Sequence, residues 1–424
     1  MPGHPLLAGV RIIESALLGP GAITTHLADL GAEVIKVEPP TGDYIREMTW
    51  PIIGPPGAET GPREGNGNSL LHLHIHRGKK SVVLDIRTPE GAAIYKDLVR
   101  SADVVVEAMR PGALAKRGLG FEDLTAVNPR IVFCTISGYG ATGPYSEMPS
   151  HGIAYDTWAG QVQAAYDDEG FCYIPEHSSI GIHAGPVFGA LGILAAVIRA
   201  RTTGEPCHME IAQSDAAAYF DWYRIESEQA YLRPETEVTG NKSDDFVRRA
   251  AGTAGMKEGV RYQMYESADG HVLFMASEQA FWKNFCIGID RPELFEANPG
   301  SKFADHARGN RALQSELRTI FKSKSSAEWL EFGNRVNTPI APVNTTKTIA
   351  QDAQFQHRLP WMPASLLDAD QLPFPVKLTG EDLGIPERAP TVGQHTEAVL
   401  RDVLEYSDER ITELRLAGAL GPTI

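Results

Sequence analysis

Residues 8–40 read AGVRIIESALLGPGAITTHLADLGAEVIKVEPP. Val10 to Ile13 is a short apolar run. Gly19-Pro20-Gly21 marks a turn, and 22–31 carries apolar residues at helical spacing up to Gly31. Glu33-Val34-Ile35-Lys36-Val37 is a second extended run, stopped by Pro39-Pro40. Strand, helix and parallel strand within so short a stretch make a βαβ unit.

The pattern continues outward. Ser81 to Ile86 predicts a strand, Thr88-Pro89-Glu90 opens a helix with Pro in its first turn, and Val104-Val105-Val106 and Ile131 to Ile136 are further strands. Such alternation predicts an α/β fold with a doubly wound, Rossmann-like sheet. Residues 41–68, rich in Gly and Pro, predict a long surface loop, an insertion over the site. Residues 185–202 predict a packed helix rich in Ala and Gly, and 232–260 a polar connection. Near 262 the character changes: a hairpin around Ala268-Asp269-Gly270 is followed by helices at 279–288, 310–323 and 326–335. The expected organisation is a large domain over 1–230, a smaller α+β domain over 231–345, and a return segment, 346–424, helical at 391–418.

Composition narrows the class. The chain of 424 residues is 42% hydrophobic and 22% charged, as in globular proteins. Its net charge of −15 and lack of a basic stripe argue against a nucleic-acid partner. Cys134, Cys172, Cys207 and Cys286 form no C-x-x-C pair, so buried thiols are expected rather than a metal cluster or disulfide framework. No long uninterrupted apolar run or secretory leader is evident, so the expectation is a cytoplasmic protein without a membrane partner.

Several ordered motifs then resemble those of the family III CoA transferases and the related α-methylacyl-CoA racemases. They include Leu18-Gly19-Pro20, Ala28-Asp29-Leu30-Gly31-Ala32-Glu33, Lys79-Lys80-Ser81, Asp85 with Thr88-Pro89-Glu90-Gly91, and Ala102-Asp103-Val104-Val105-Val106-Glu107. Arg110-Pro111-Gly112, Asn128-Pro129-Arg130, Ser137-Gly138-Tyr139-Gly140, Pro339-x-Ala341-Pro342-Val343 and Gly393-Gln394-His395-Thr396 continue the match. The resemblance implies an interlocked homodimer and an enzyme acting on acyl-CoA and a small carboxylic acid. Coenzyme A would be substrate and carrier, with no permanently bound cofactor and no metal. It also implies that Ala16 and Leu17 lie beside the thioester end of CoA. Lys79, Lys80, Arg110 and Lys116 lie on motifs bordering the CoA site, where phosphates require cations.

The catalytic position departs from the family. Transferases carry an Asp ten residues before the first Gly of a Gly-Ile-Leu-Ala-Ala helix, and it attacks the thioester as a nucleophile. Counting back ten from Gly192 reaches Ile182. His183 and Glu176 are the nearby groups able to reach the same cavity. Racemases carry Pro-Gly-His-Asp-Ile-x-Tyr, and here Pro149-Ser150-His151-Gly152-Ile153-Ala154-Tyr155 retains the histidine. His151 suits proton transfer at a thioester α-carbon. Three readings stay open: transferase, racemase-like or lyase-like proton transfer, and a non-catalytic acyl-CoA-binding protein. His72, His74 and His76 alternate, which predicts one face of a strand. Asp215 is expected to cap or pack the helix that follows it.

Overall fold

The computed structural model describes residues 6–48, 51–54, 67–238, 256–302 and 304–421. The chain divides into two compact units, Met1–Phe220 with His357–Ile424, and Asp221–Gln356.

The first unit is built on six strands: β1 (Arg11–Ser15), β2 (Glu33–Glu38), β3 (Lys79–Val83), β4 (Val104–Glu107), β5 (Val132–Ser137) and β6 (Cys207–Ala212). All neighbours pair in parallel, in the order β6-β5-β4-β1-β2-β3. The winding reverses at β1, between β4 and β2, as in doubly wound dinucleotide folds.

Strand alternation sorts the apolar side chains onto two faces. Ile12, Val34, Val104 and Val132 pack with α1 (Ala22–Asp29) and a long later helix through Ile23, Leu27, Ile193 and Val197. Ile13, Ile35, Val105 and Phe133 share a second core with residues of four other helices, one of them Phe121–Thr125 through Leu124. These include Ile94 and Leu98 from a helix over Pro89–Arg100, capped by Thr88, whose Oγ1 accepts from the Gly91 N–H at 3.0 Å. Leu400, Ile411 and Leu414 come from helices Thr396–Asp402 and Asp408–Leu416. The carboxyl-terminal segment His357–Ile424 thus packs within the first unit.

The histidine run differs from expectation. Leu70–Ile75 is a helix, α2, not a strand. Ser69 caps it, its Oγ accepting from the His72 N–H at 3.1 Å. The winding brings His72 and His76 together, with their Nδ1 atoms 2.8 Å apart, as four-residue spacing on a helix requires. Of the predicted 41–68 loop, Ile52–Ile53 pairs with Asn68–Ser69, while 49–50 and 55–66 lie outside the described residues. Part of the predicted polar connection, 239–255, does too.

The long helix α3 (Gly181–Thr203) extends four residues before the predicted start at 185. By length and composition alone it resembles a membrane span, as apolar core helices do. Here its Ile193, Ala196 and Val197 are buried in the sheet's core. Leu191 and Ile198, 63% and 68% exposed, face away. Cys134 and Cys286 are buried as expected, whereas Cys172 is exposed.

In the second unit, Tyr262–Glu266 pairs antiparallel with His271–Met275, which pairs with Ile340–Pro342. Helices Gln279–Gly288, Arg311–Phe321 and Ser326–Val336 follow the predicted spans. Phe274, Trp282, Phe285, Phe321 and Trp329, all fully buried, form its centre.

Beneath the first unit's strand ends lies a set of buried charges. Glu14 pairs with Lys36 at 3.0 Å and with Lys79 at 2.8 Å, and Lys36 also pairs with Asp43 at 3.0 Å. Glu38 binds Arg46 through both oxygens and accepts from the Ser81 hydroxyl at 2.6 Å. Three carboxylates thus face three cations, which offsets a desolvation cost no single buried charge could bear. Arg46 holds the Glu38 carboxyl down at about 2 against the opposing effect of burial.

Removing one member strands its partner. Lys79→Met is expected to destabilise the protein by about 3–5 kcal/mol. Lys80→Met, which loses a half-exposed pair with Glu33, should cost no more than about 1 kcal/mol. Urea denaturation of both variants checks the ranking, and equal losses would contradict it.

Burial pushes the His72 imidazole down to about 3 and holds that of His76 well below its ordinary value. Between about pH 6.5 and 3 the unfolded chain therefore binds protons that the folded chain refuses. Stability is full above about pH 6.5 and falls as pH drops, by about 1.4 kcal/mol per unit for each such histidine. Denaturant midpoints at pH 7 and pH 5 test this; a higher midpoint at pH 5 would sink it.

Candidate functional site

All six parallel strands end at one cavity of about 980 Å³. Its wall takes Ser15 from β1, Val37 and Glu38 from β2, Leu84 after β3, Ala108 after β4 and Ile136 from β5. This is the carboxyl edge of the sheet, beside the switch between β1 and β4, where open α/β sheets bind ligands. Its volume sits at the top of the roughly 300–1,000 Å³ typical of small-molecule sites.

The turn after β1 supplies Leu17, Leu18, Gly19 and Pro20 to the wall. Leu18 adopts φ 58°, a conformation a branched side chain resists. The buried charges hold it there: Lys36 Nζ donates to the Ala16 carbonyl, and Lys79 Nζ donates to the Gly21 carbonyl at 2.8 Å. Of the two turn residues predicted to border CoA, Leu17 lines the cavity, while Ala16 is fully buried.

The cations resolve differently from expectation. Arg110 lines the cavity, exposed. Lys79 does not: it is 1% exposed and spent on Glu14 and the turn, and burial pushes its ammonium down to about 8. Lys80 pairs with Glu33 at 2.6 Å, outside the cavity wall. Lys116 is exposed and does not line it, but the next residue, Arg117, does. Arg87, held bidentately by Asp85 at 2.8 Å on each arm, also lines it. Arg87 and Arg117 were missed by sequence reasoning. Each follows a strand's carboxyl end, and that position was the available signal.

His151, Ile182 and His183 all line the cavity. His151 precedes helix α4 (Ile153–Trp158). Its loop is fixed by Ser150, whose Oγ lies 3.2 Å from Tyr155 Oη, and by Gly138, where a Cβ would meet Ser150 Oγ at 2.1 Å. Asp156, on α4 and fully buried, accepts from the N–H groups of Ile180 and Gly181 at 3.0 and 2.8 Å. A carboxylate there complements the amino end of α3 and sets the position of Ile182. A Cβ on Gly152 would lie 2.9 Å from Ile182 Cγ2. The isoleucine thus occupies the space beside Gly152, where the racemase pattern has Asp.

Glu176 is exposed on the segment before α3 and does not line the cavity. Asp215 is exposed in the first turn of the helix Gln213–Phe220 and does not line it either. Gln213, at that helix start, lines the cavity with its Oε1 buried and unpartnered. It too was missed, although it directly follows β6. Among the described lining residues the carboxylates are Glu38 and Asp85, and each is held by a guanidinium. No cluster of three or more His, Cys, Asp or Glu with metal-binding geometry occurs among the described residues.

Comparison with known proteins agrees with this architecture. The profile of CoA-transferase family III matches residues 7–396. The human succinyl-CoA:glutarate CoA-transferase is 30% identical over 98% of this chain and 90% of its own length. The succinyl-CoA–L-malate CoA-transferase beta subunit of Chloroflexus aurantiacus is 29% identical over 96% of both chains. A CAIB/BAIF family protein from Brucella suis has a solved structure that superposes with a TM-score of 0.75 at 25% identity, covering 95% of this chain and 100% of its own. With the profile spanning nearly its whole length, this chain belongs to CoA-transferase family III and is an enzyme that takes coenzyme A as substrate and carrier.

Proposed function

We propose that the enzyme moves CoA between an acyl-CoA and a carboxylic acid by direct attack of the acid, without an acyl-enzyme. The observation that carries this reading is Ile182, an inert side chain in the cavity wall, together with the commitment of Glu38 and Asp85 to arginines. No described lining carboxylate is free to act as the nucleophile.

The acid's own carboxylate then attacks the thioester carbonyl. The C–S bond breaks, leaving a mixed anhydride and the CoA thiolate. The thiolate attacks the other carbonyl of the anhydride, forming the new thioester and releasing the first acid. Both substrates must be bound together, so orientation supplies much of the acceleration. His151 offers a ring N–H to the oxyanion or the departing thiolate. Arg87, Arg110 and Arg117 present guanidiniums for the CoA phosphates.

Arg110→Ala is expected to weaken CoA binding about 10- to 100-fold, equivalent to the loss of roughly 1.5–3 kcal/mol for a charge-assisted contact. Calorimetric titration that shows unchanged affinity would remove Arg110 from the phosphate site. Incubating wild-type enzyme with acyl-CoA alone should give no hydroxylamine-sensitive acyl-protein, and initial rates should show a ternary complex rather than ping-pong kinetics. His151→Ala should lower kcat by about 10²- to 10⁴-fold. An acyl-enzyme trapped on the wild type, or full activity in His151→Ala, would overturn the scheme. Ile182→Asp, by contrast, should introduce a trappable acyl group.

A second reading rests on the same histidine. With Ile182 on the cavity wall, His151 is placed to exchange a thioester α-proton as a single base. Deuterium entering the α-position from solvent in the absence of any acid would favour it over transfer.

A further inference from the structure

Three histidines on three separate helices line the cavity: His26 on α1, His74 on α2 and His183 on α3. Their helices are locked together. The hydroxyl of Thr25, next to His26, donates to the carbonyl of Ile75, next to His74. Helix α1 lies close against α3 at Gly189, where a Cβ would sit 2.7 Å from Ile23 Cδ1. None of the three came from motif spacing as a group, because only packing assembles them.

Their surroundings are otherwise satisfied. Arg77 donates to His74 Nδ1 at 3.2 Å, to Asp29 at 2.7 Å, to Gln371 Oε1 and to the Leu372 carbonyl, which fixes the His74 proton on Nε2 as that ring's remaining donor. Lys79, the other nearby cation, is consumed by Glu14. The His26 ring lies 5.8 Å from that of Phe374 and has no hydrogen-bond partner among the described residues. His183 likewise has none. These imidazoles therefore turn donor capacity toward the cavity that the protein does not use. The arginines Arg87, Arg110 and Arg117, proposed to hold the CoA phosphates, come from the segments that follow β3 and β4.

We propose that His26, His74 and His183 form the subsite for the carboxylate of the acid that accepts CoA. The inference rests on the transfer reading and deepens it by assigning where the second substrate sits. His183 adjoins Ile182, so an acid held there has its carboxylate beside the position the family reserves for its nucleophile. Substrate carboxylate replaces the absent side-chain carboxylate.

His26 and His74 are kept short of protons. Desolvation holds His26 below its ordinary value, with Lys79, Arg77 and His183 adding to the effect and Asp29 opposing it. Desolvation acts in the same direction on His74, reinforced by Arg77, His26 and His183. An arriving carboxylate favours the protonated imidazole. Acid binding therefore draws in a proton and strengthens as pH falls.

The test is calorimetric titration of the CoA-saturated protein with succinate, a dicarboxylate probe, and butyrate, a monocarboxylate probe. Titrations at pH 7.5 and 6.0 use two buffers of different ionisation enthalpy. Expected are tighter binding of at least one acid at pH 6.0, by about tenfold, and net proton uptake. His26→Gln and His74→Gln should each weaken acid binding tenfold or more while CoA affinity stays within twofold of wild type. No binding of either probe, binding without proton uptake, or unchanged acid affinity in both variants overturns the proposal. Should one variant fail to fold, the proton-uptake measurement on the wild type and the other variant decide the matter. Acid binding at the histidines without turnover would sink the transfer reading and leave this subsite standing. Turnover with an unchanged acid KM in both variants would do the reverse.

Discussion

The arrangement that everything at the cavity leans on is the buried meeting of Glu14 with Lys36 and Lys79. Glu14 comes from β1, Lys36 from β2 and Lys79 from β3, so one carboxylate ties three adjacent strands. Each lysine then spends a remaining proton on a carbonyl at one end of the turn 16–21. A turn whose Leu18 sits at positive φ would relax without such anchors. The low dielectric that makes these charges costly alone also makes their pairing strong once geometry is met.

A second constraint works from the other side of the cavity. Asp156 pins the first N–H groups of α3, and Gly152 gives Ile182 the room it needs. Two residues on the α4 segment thus control where position 182 sits. The pairing of a glycine with a bulky neighbour makes the site depend on both at once. A carboxylate at 182 would be smaller than isoleucine, so the pocket can hold one sterically.

Much of the fold was readable because local and tertiary preferences agreed. β1, α1 and β2 appear where the 8–40 stretch put them, and Thr88 caps the helix it was expected to open. The hairpin and helices after residue 262 follow their predicted spans within a few residues. His72, His74 and His76 misled, since alternation along three positions fits a strand and a short helix alike. Ser69 decided for the helix by offering its hydroxyl to a free N–H. Motif membership also misled at Lys79: it sits in a shared motif, yet its ammonium points into the interior rather than toward a phosphate.

By itself the sequence determined the parallel sheet, its helices, the family, and that an isoleucine stands at position 182. Periodicity and ordered motifs are local properties, and a residue type can be read wherever its motif is aligned. Which charged groups face the cavity was decided only by tertiary structure. Arg87, Arg117, Gln213, His26 and His74 line it, and Lys79, Lys80, Lys116 and Glu176 do not. The physical reason is that side-chain direction and pairing depend on partners far away in sequence. Glu14 captures Lys79 across 65 residues, and no local pattern records that capture.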